Sequence, residues 1–433
     1  MPDRGRNISA NQAWECLCAE YNIEAKVEEN GVFYITAQQI KEYKEPRLMA
    51  KWDSSEQLPS ALKRRKLNIL PVSRRQYVIS DFLVYEAIPA LEERVERMTH
   101  VELPEYETIT ADSITSEAAA INALVLSHIL DDFLHSTENA STFNGRMSTG
   151  VFDYKIDTER HAVREIHVNN AQCEIDGGFE NEESVVILEA KNVVHADFNV
   201  RQLYYPYRLW LNRIEKPIRL VFSIYSNQIF RLFEYRFEDP NDFSSIALVA
   251  TKNYSLQDTE IDNDDLLRVR NNTPVTTDDS QSANETPFIQ ANSVDRVISL
   301  LENLYVQPMT RAEIAELMAF QERQSDYYYN AGRYLGLFER AIENDRRVVR
   351  LTPMGRMVYA LPYKERQLKL VHLMLEHRIL AEGFDYTIEH GELPTVSDIA
   401  ARMRDLQVCG ESQINRRASS VVSWLKWIFS LTR

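Results

Sequence analysis

One stretch of this chain carries charged residues where an ordinary buried strand would have none. Gln172-Cys173-Glu174-Ile175-Asp176-Gly177-Gly178-Phe179-Glu180 is followed, after a short acidic turn, by Ser184-Val185-Val186-Ile187-Leu188-Glu189-Ala190-Lys191. The Val, Ile and Leu run has the character of a buried strand, yet it ends on Glu189 and Lys191. Side chains two apart on a strand share a face, so this carboxylate and this ammonium point the same way. The preceding strand delivers Asp176, with Gly177 and Gly178 expected to open the turn between the two strands. Two carboxylates and one ammonium at the edge of an apolar sheet suit a hard divalent cation. Mg²⁺ takes a few carboxylate oxygens and completes its shell with water and phosphate oxygens. Asp176 and Glu189 are therefore the expected metal ligands, while Lys191 would orient a water and offset charge building on phosphorus. A lone Glu-X-Lys is common on protein surfaces. The apolar run before it and the Asp on the preceding strand set this one apart.

Asp176, followed after a hairpin by Glu189-Ala190-Lys191, resembles the core motif of the PD-(D/E)XK nucleases. Ser116-Glu117-Ala118, Gly145-Arg146-Met147-Ser148 ahead of the first strand, and Arg201-Gln202-Leu203-Tyr204-Tyr205-Pro206-Tyr207-Arg208 extend the likeness to a group of type II restriction endonucleases. The resemblance covers residues 110–240 well and the C-terminal third loosely. The family's Pro-Asp pair is absent: Ile175 precedes Asp176, and Glu174 lies on the same strand face. Either acid is thus a candidate first ligand, Asp176 being nearer the turn. The resemblance implies a restriction-endonuclease-like α/β core, a mixed sheet flanked by helices. It also implies Mg²⁺-dependent, sequence-specific cleavage of double-stranded DNA and a cognate DNA methyltransferase as partner. Helix glutamates ahead of the sheet often complete the metal site in such enzymes, which marks Glu117; its other reading is a first-turn charge favoured by the helix dipole.

With 433 residues the chain is too long for one core. No apolar run approaches the roughly 20 residues needed to span a bilayer. Met1–Arg6 lacks the apolar core of a signal peptide, and the four cysteines form no Cys-x-x-Cys pair. The expectation is a cytoplasmic protein with free thiols and no membrane partner. A net charge of −16 argues against indiscriminate coating of nucleic acid, although a specific DNA reader needs only a local basic patch. There is no Gly-rich phosphate loop, and the nine histidines lack paired ligand spacing.

The elements that must position the site follow from hydrophobic pattern. Residues 1–110 read as a small mixed unit: a helix near Asn11–Tyr21, an Asn30-Gly31 turn between extended runs, and a basic cluster at Lys63–Lys66 that would grip phosphates or lie solvated. Residues 111–255 form the nuclease-like core. An amphipathic helix over 113–134, capped by Ser113 or Ser116, precedes extended runs at Val151–Ile156, Val163–Asp176 and Ser184–Lys191, expected to pair as a meander. A helix over Asp197–Arg213, kinked by Pro206, follows, and then strands at Ile218–Tyr225 and Ile229–Phe237. Gln202, about one turn into that helix, would hold a water or the scissile phosphate, with Arg201 or Arg208 on a flanking phosphate. Tyr204, Tyr205 and Tyr207 read as packing.

Residues 256–292 are rich in Asp, Asn, Thr and Ser and read as a flexible linker. Residues 293–360 pattern as three short helices and a basic hairpin, which resembles a winged helix-turn-helix; Thr310 and Glu313 make a capping box. Gln324, Ser325, Asn330 and Arg333 on the third helix are the candidate base readers, with Arg346 and Arg347 on phosphates. Residues 361–433 are helical and form a candidate second winged helix, offering Arg416 and Arg417 to DNA. Palindromic DNA sites would call for a homodimer. Two other functions fit the same pattern: a DNA-binding transcriptional regulator with an inactive nuclease fold, and a structure-selective DNA repair nuclease.

Overall fold

Val185–Lys191 is an interior strand of a seven-stranded mixed sheet, the middle one of the trio it forms with Ile218–Ser226 and Gln172–Glu180. From edge to edge its strands are Val95–Arg97, Ile246–Ser255, Ile229–Phe237, Ile218–Ser226, Val185–Lys191, Gln172–Glu180 and Ala140–Ser148. The middle strand is parallel to Ile218–Ser226 and antiparallel to Gln172–Glu180. A parallel neighbour needs a long crossover, and the helix Arg201–Leu211 lies within it. The computed structural model describes residues 8–91, 95–97, 107–109, 114–277, 279–280, 287–318 and 322–432.

Both faces of the middle strand are covered, which is why its sequence is continuously apolar instead of alternating. Val186 and Leu188 pack with Ala120, Ala123, Leu124 and Phe133, from the helices Glu117–Leu126 and Ile129–Leu134. Ile187 faces the other way, into Leu203, Tyr204, Tyr205 and Leu209 of Arg201–Leu211. Strand alternation then aims Glu189 and Lys191 at the start of that same helix.

Several expectations are corrected. The 113–134 helix is two, because His128 adopts a left-handed φ of 52° and ends the first. Ser116 caps Glu117–Leu126 by accepting from the Ala119 N–H; Ser113 lies outside the described residues. Val163–Asp176 is likewise two strands, parted at Asn170, whose φ is 55°. Val163–Asn169 pairs only with Val151–Asp157, in a separate hairpin. The third strand of the meander is instead Ala140–Ser148, which takes in Gly145–Ser148. Gly177 and Gly178 do not open the turn; they pair with Leu188 and Ile187 inside the ladder, and the turn begins at Asn181. The second helix starts at Arg201, not Asp197, because Asp197–Asn199 pairs as a short strand with Tyr85–Ala87.

In the N-terminal unit, Ile23–Asn30 is a helix ended by left-handed Gly31, so Asn30-Gly31 is a helix stop, not a hairpin turn. A three-stranded antiparallel sheet of Phe33–Thr36, Gln76–Ser80 and Asn68–Pro71 completes the unit around buried Trp14. In the basic cluster, Arg64 and Arg65 pair with Glu15, and Lys66 pairs with Glu159.

The segment expected to be a flexible linker is packed over much of its described length. Asn263–Asn271 is a helix, and Phe288, Ile289 and Ala291 are buried in the C-terminal core. Buried Asp279 accepts from Tyr334 Oη at 2.8 Å and from the Ile379 N–H at 2.9 Å. Polar composition misleads here because the few apolar residues are the ones that dock, while the acids cap helices and pair.

The C-terminal region opens with three helices, Val294–Val306, Arg311–Leu317 and Glu322–Tyr334, followed by the antiparallel pair Phe338–Glu343 and Arg346–Leu351. The Thr310 and Glu313 capping box is formed. Beyond it, Pro353–Ala360, Tyr363–Leu375, Arg378–His390, Val396–Asp405 and Glu411–Ser430 are all helices. Among the described residues no strand pair follows Leu351, so the second unit lacks a wing. No helix among the described residues is long and apolar enough to cross a membrane.

Candidate active site

The ladder between Gln172–Glu180 and Val185–Lys191 stops at Gly177 and Leu188. The next donor on the middle strand, the Ala190 N–H, is taken by the Asp176 carboxylate at 3.0 Å. On the other side, Phe143 pairs with Gly178 and Gly145 with Ile175, three steps against two. The extra residue is a bulge at Asp176–Gly177, a device that re-aims a side chain and ends pairing. Asp176 thereby turns toward Glu189 and Lys191.

Lys191 Nζ lies 2.6 Å from Glu189 Oε1, and Gln202 Nε2 donates to the same oxygen. Gln202 is the second residue of its helix, one turn earlier than expected, because the chain enters that helix from the Asp197–Asn199 strand. Glu117, Asp176, Glu189, Lys191 and Gln202 all line one cavity of about 330 Å³. The five candidate catalytic residues are therefore brought together. Glu174 reaches the rim of this cavity, where Lys51 and Arg146 each hold its carboxylate at 3.4 Å. That engagement favours Asp176 over Glu174 as the acid facing Glu189. Arg201 lines the cavity, whereas Arg208 is buried and donates to the carbonyls of Asp153 and Pro240 and to Tyr204 Oη. Arg208 is a packing residue, and its phosphate role is withdrawn.

Residues that carried no signal in the sequence complete the cavity. Arg47, Lys51, Asp53 and Gln57 come from the N-terminal unit, His195 from the turn after the middle strand, and Glu316 from the helix Arg311–Leu317. Their spacing follows no motif, and each is an ordinary charged or polar residue of a loop or helix end. Nothing local could have found them.

Charge is crowded here. Burial pushes the Glu189 carboxyl up, to about 8, with the Lys191 ammonium pulling against the shift and Asp176 adding to it. Burial also raises the pKa of Glu117, against the pull of Lys191. For Lys191, burial acts to lower the pKa, but Glu189, Asp53, Glu117 and Asp176 outweigh it and raise the value, so the ammonium stays charged. His195 is pushed down to about 4 by burial and by nearby Arg296, leaving a neutral ring. Gln202 Oε1, Asp53 Oδ1 and His195 Nδ1 are buried without a hydrogen-bond partner. Orphaned acceptors around acids with raised pKa fit a site designed around a cation. No three His, Cys, Asp or Glu side chains among the described residues converge to hold an ion by themselves.

The candidate DNA-reading residues divide. Asn330 and Arg333 are half-exposed on the third helix, and Arg347 is exposed on the hairpin. Arg346 is exposed but paired with Glu313 at 2.6 Å. Arg416 is exposed and lies over the Tyr327 ring. Ser325 is 1% exposed and Arg417 8%, so neither reaches a base or a phosphate from this conformation. Both face the core because helix periodicity turns them inward. The side chain of Gln324 lies outside the described residues.

Residues 11–79 match a domain of unknown function (DUF6996), residues 80–255 a second (DUF6997), and residues 296–433 a third (DUF7226). No curated protein and no solved structure matches the chain.

Proposed function

We propose that this protein is a Mg²⁺-dependent, sequence-specific endonuclease of double-stranded DNA, built on a PD-(D/E)XK core and acting as a type II restriction enzyme. The observation that carries the reading is the meeting of Asp176, Glu189 and Lys191 at the end of a buried strand, with Glu117 and Gln202 in the same cavity. When bound through Asp176 and Glu189, Mg²⁺ supplies Lewis-acid polarisation and an acidified water for in-line displacement at phosphorus. The chain's own groups have separable tasks. The Lys191 ammonium donates to the nucleophilic water and opposes charge growing on the phosphate. Gln202 fixes the Glu189 carboxylate through Nε2 and keeps Oε1 free to orient that water. Arg201, at the cavity edge, is the cation for a flanking phosphate.

The three helices and strand pair that open the C-terminal region support a winged-helix reader. Asn330 and Arg333 would meet base edges, with Arg346, Arg347 and Arg416 on phosphates. A cognate methyltransferase and a homodimeric enzyme belong to the same reading.

Purified protein incubated with plasmid and Mg²⁺ is expected to yield discrete fragments. Asp176→Ala and Lys191→Ala should each abolish cutting while gel-shift affinity in Ca²⁺ is retained. Cleavage by either variant would sink the assignment. Sequence-dependent gel shifts without cleavage by the wild type would favour a regulator instead.

A further inference from the structure

We propose that a groove leading out of the active-site cavity, between the N-terminal segment 44–60 and the helix Arg311–Leu317, holds one unpaired strand of DNA. The groove is a second cavity, of about 650 Å³. Arg47, Lys51, Asp53, Gln57 and Glu316 line both it and the cavity of about 330 Å³ that contains Glu189 and Lys191, so the two spaces adjoin. The walls are tied to each other. Glu56 and Arg296 pair at 2.9 and 2.6 Å, and Gln57 Nε2 donates to the Glu316 carbonyl at 3.4 Å. Cavities of roughly 300–1,000 Å³ enclose a ligand of a few rings. A groove of this size between clasped walls suits a nucleotide or two of one strand, and not a duplex.

The lining has the chemistry of a strand. Arg47 sits at the boundary of the two cavities, exposed and without an ion-pair partner among the described residues. Lys51 shares that boundary and is engaged by Glu174 at 3.4 Å, an exposed pair that a phosphate can exchange at little cost. Lys44 lies beyond the boundary; it donates to the Ile8 carbonyl at 3.0 Å and has two further N–H groups to give. The acids do not cancel this row. Asp53 and Glu316 belong to the inner end, and Glu56 is answered by Arg296. Past the boundary the surface turns apolar, with Leu48, Trp52 and Pro59 facing the small Ala312 across the groove. Cations that track a backbone, set beside apolar and aromatic surface for the bases, are what sequence-tolerant single-strand sites use. Arg47 and Lys51 would take the phosphate next to the scissile one, and Lys44 the one beyond.

Which phosphate lies where rests on the nuclease reading, but binding of the strand does not. The test is fluorescence anisotropy of labelled decathymidylate with the full-length protein in EDTA, where no metal chemistry enters. The wild type should bind the strand, and a GC-rich duplex of the same length should displace it roughly tenfold less well. Arg47→Ala should weaken binding roughly tenfold and make the slope of log affinity against log salt shallower by about 0.7, the loss of one phosphate contact. Ala312→Phe fills the groove without touching its charge and should weaken binding as much. Both positions are exposed, and unchanged circular dichroism and thermal midpoint show that the variants are folded. Wild-type affinity in both variants, or a duplex that competes as well as the strand, would overturn the proposal. A wild type that cuts plasmid but ignores decathymidylate sinks the groove and leaves the nuclease reading standing. Strand binding that both variants weaken, in a protein that cuts nothing, does the reverse.

Discussion

At Glu189 a carboxyl that burial pushes up to about 8 shares one oxygen with Lys191 Nζ and Gln202 Nε2. A cation can use that carboxylate only after displacing its proton, so the two ligands compete. Below about 8, Mg²⁺ affinity should fall by roughly tenfold per pH unit, and above it the dependence should flatten. Calorimetric titration at pH values either side of 8 checks this, and a flat profile would contradict it. The cation-free protein should behave in the opposite sense. Because the folded state keeps a proton that an ordinary carboxyl loses near 4.5, this contribution to stability is full below 4.5 and is lost as pH rises through 8. Arg208, six residues along the helix from Gln202, illustrates a different role for a buried charge. It donates to two backbone carbonyls and a tyrosine hydroxyl, with its guanidinium over the Phe152 ring. Arg208→Ala should cost about 2–4 kcal/mol in urea denaturation, since buried acceptors lose their donor. Ion binding should be unaffected in the folded fraction.

The strand Gln172–Glu180 reaches the site through geometry that two glycines permit. A Cβ on Gly178 would run into the Phe143 ring, which packs at 4.4 Å, tilted by 41°, against Trp210 of the helix Arg201–Leu211. Gly178→Ala must therefore displace an aromatic pair that ties the edge strand to that helix. The expected loss is about 1–3 kcal/mol, read from the thermal midpoint. Because the displaced pair adjoins the bulge that aims Asp176, Mg²⁺ affinity should drop with it. Unchanged affinity would mean that the bulge is set by the ladder alone. The capping box at Thr310 and the continuous apolar run of Val185–Leu188 lie at the other extreme, being legible from a few neighbouring residues. The bulge left no such mark, because it depends on a register with residues some thirty positions away.

Across the whole molecule, the cavity has walls from all three matched regions. Glu56 and Arg296 form a two-pronged ion pair at 2.9 and 2.6 Å between the N-terminal unit and the first C-terminal helix. Gln57 Nε2 reaches the Glu316 carbonyl at 3.4 Å. A space of about 330 Å³ bounded in this way takes a phosphate and its neighbours but not a DNA duplex. On the proposed nuclease reading, a duplex would reach the cavity only once the C-terminal helices move away from the N-terminal loop. Joining Gln57→Cys to Glu316→Cys with a short thiol cross-linker, in a background with the half-buried Cys16 and Cys409 as serine, should abolish plasmid cutting and spare ion binding. Full cutting by the cross-linked protein would show that DNA enters without this opening.

What the sequence determined on its own is the part governed by near neighbours. A run of β-branched residues makes the middle strand, period-two alternation puts Glu189 and Lys191 on one face, and caps start the helices. The packed character of the described part of 256–292, the inward turn of Arg417 and Ser325, and the convergence of Asp53 and His195 on the cavity were decided by tertiary structure. Those features depend on which surfaces meet across long stretches of chain. Side-chain chemistry at one position does not encode its distant neighbour, and only the closing of the sheet and the docking of the flanking units supplies one.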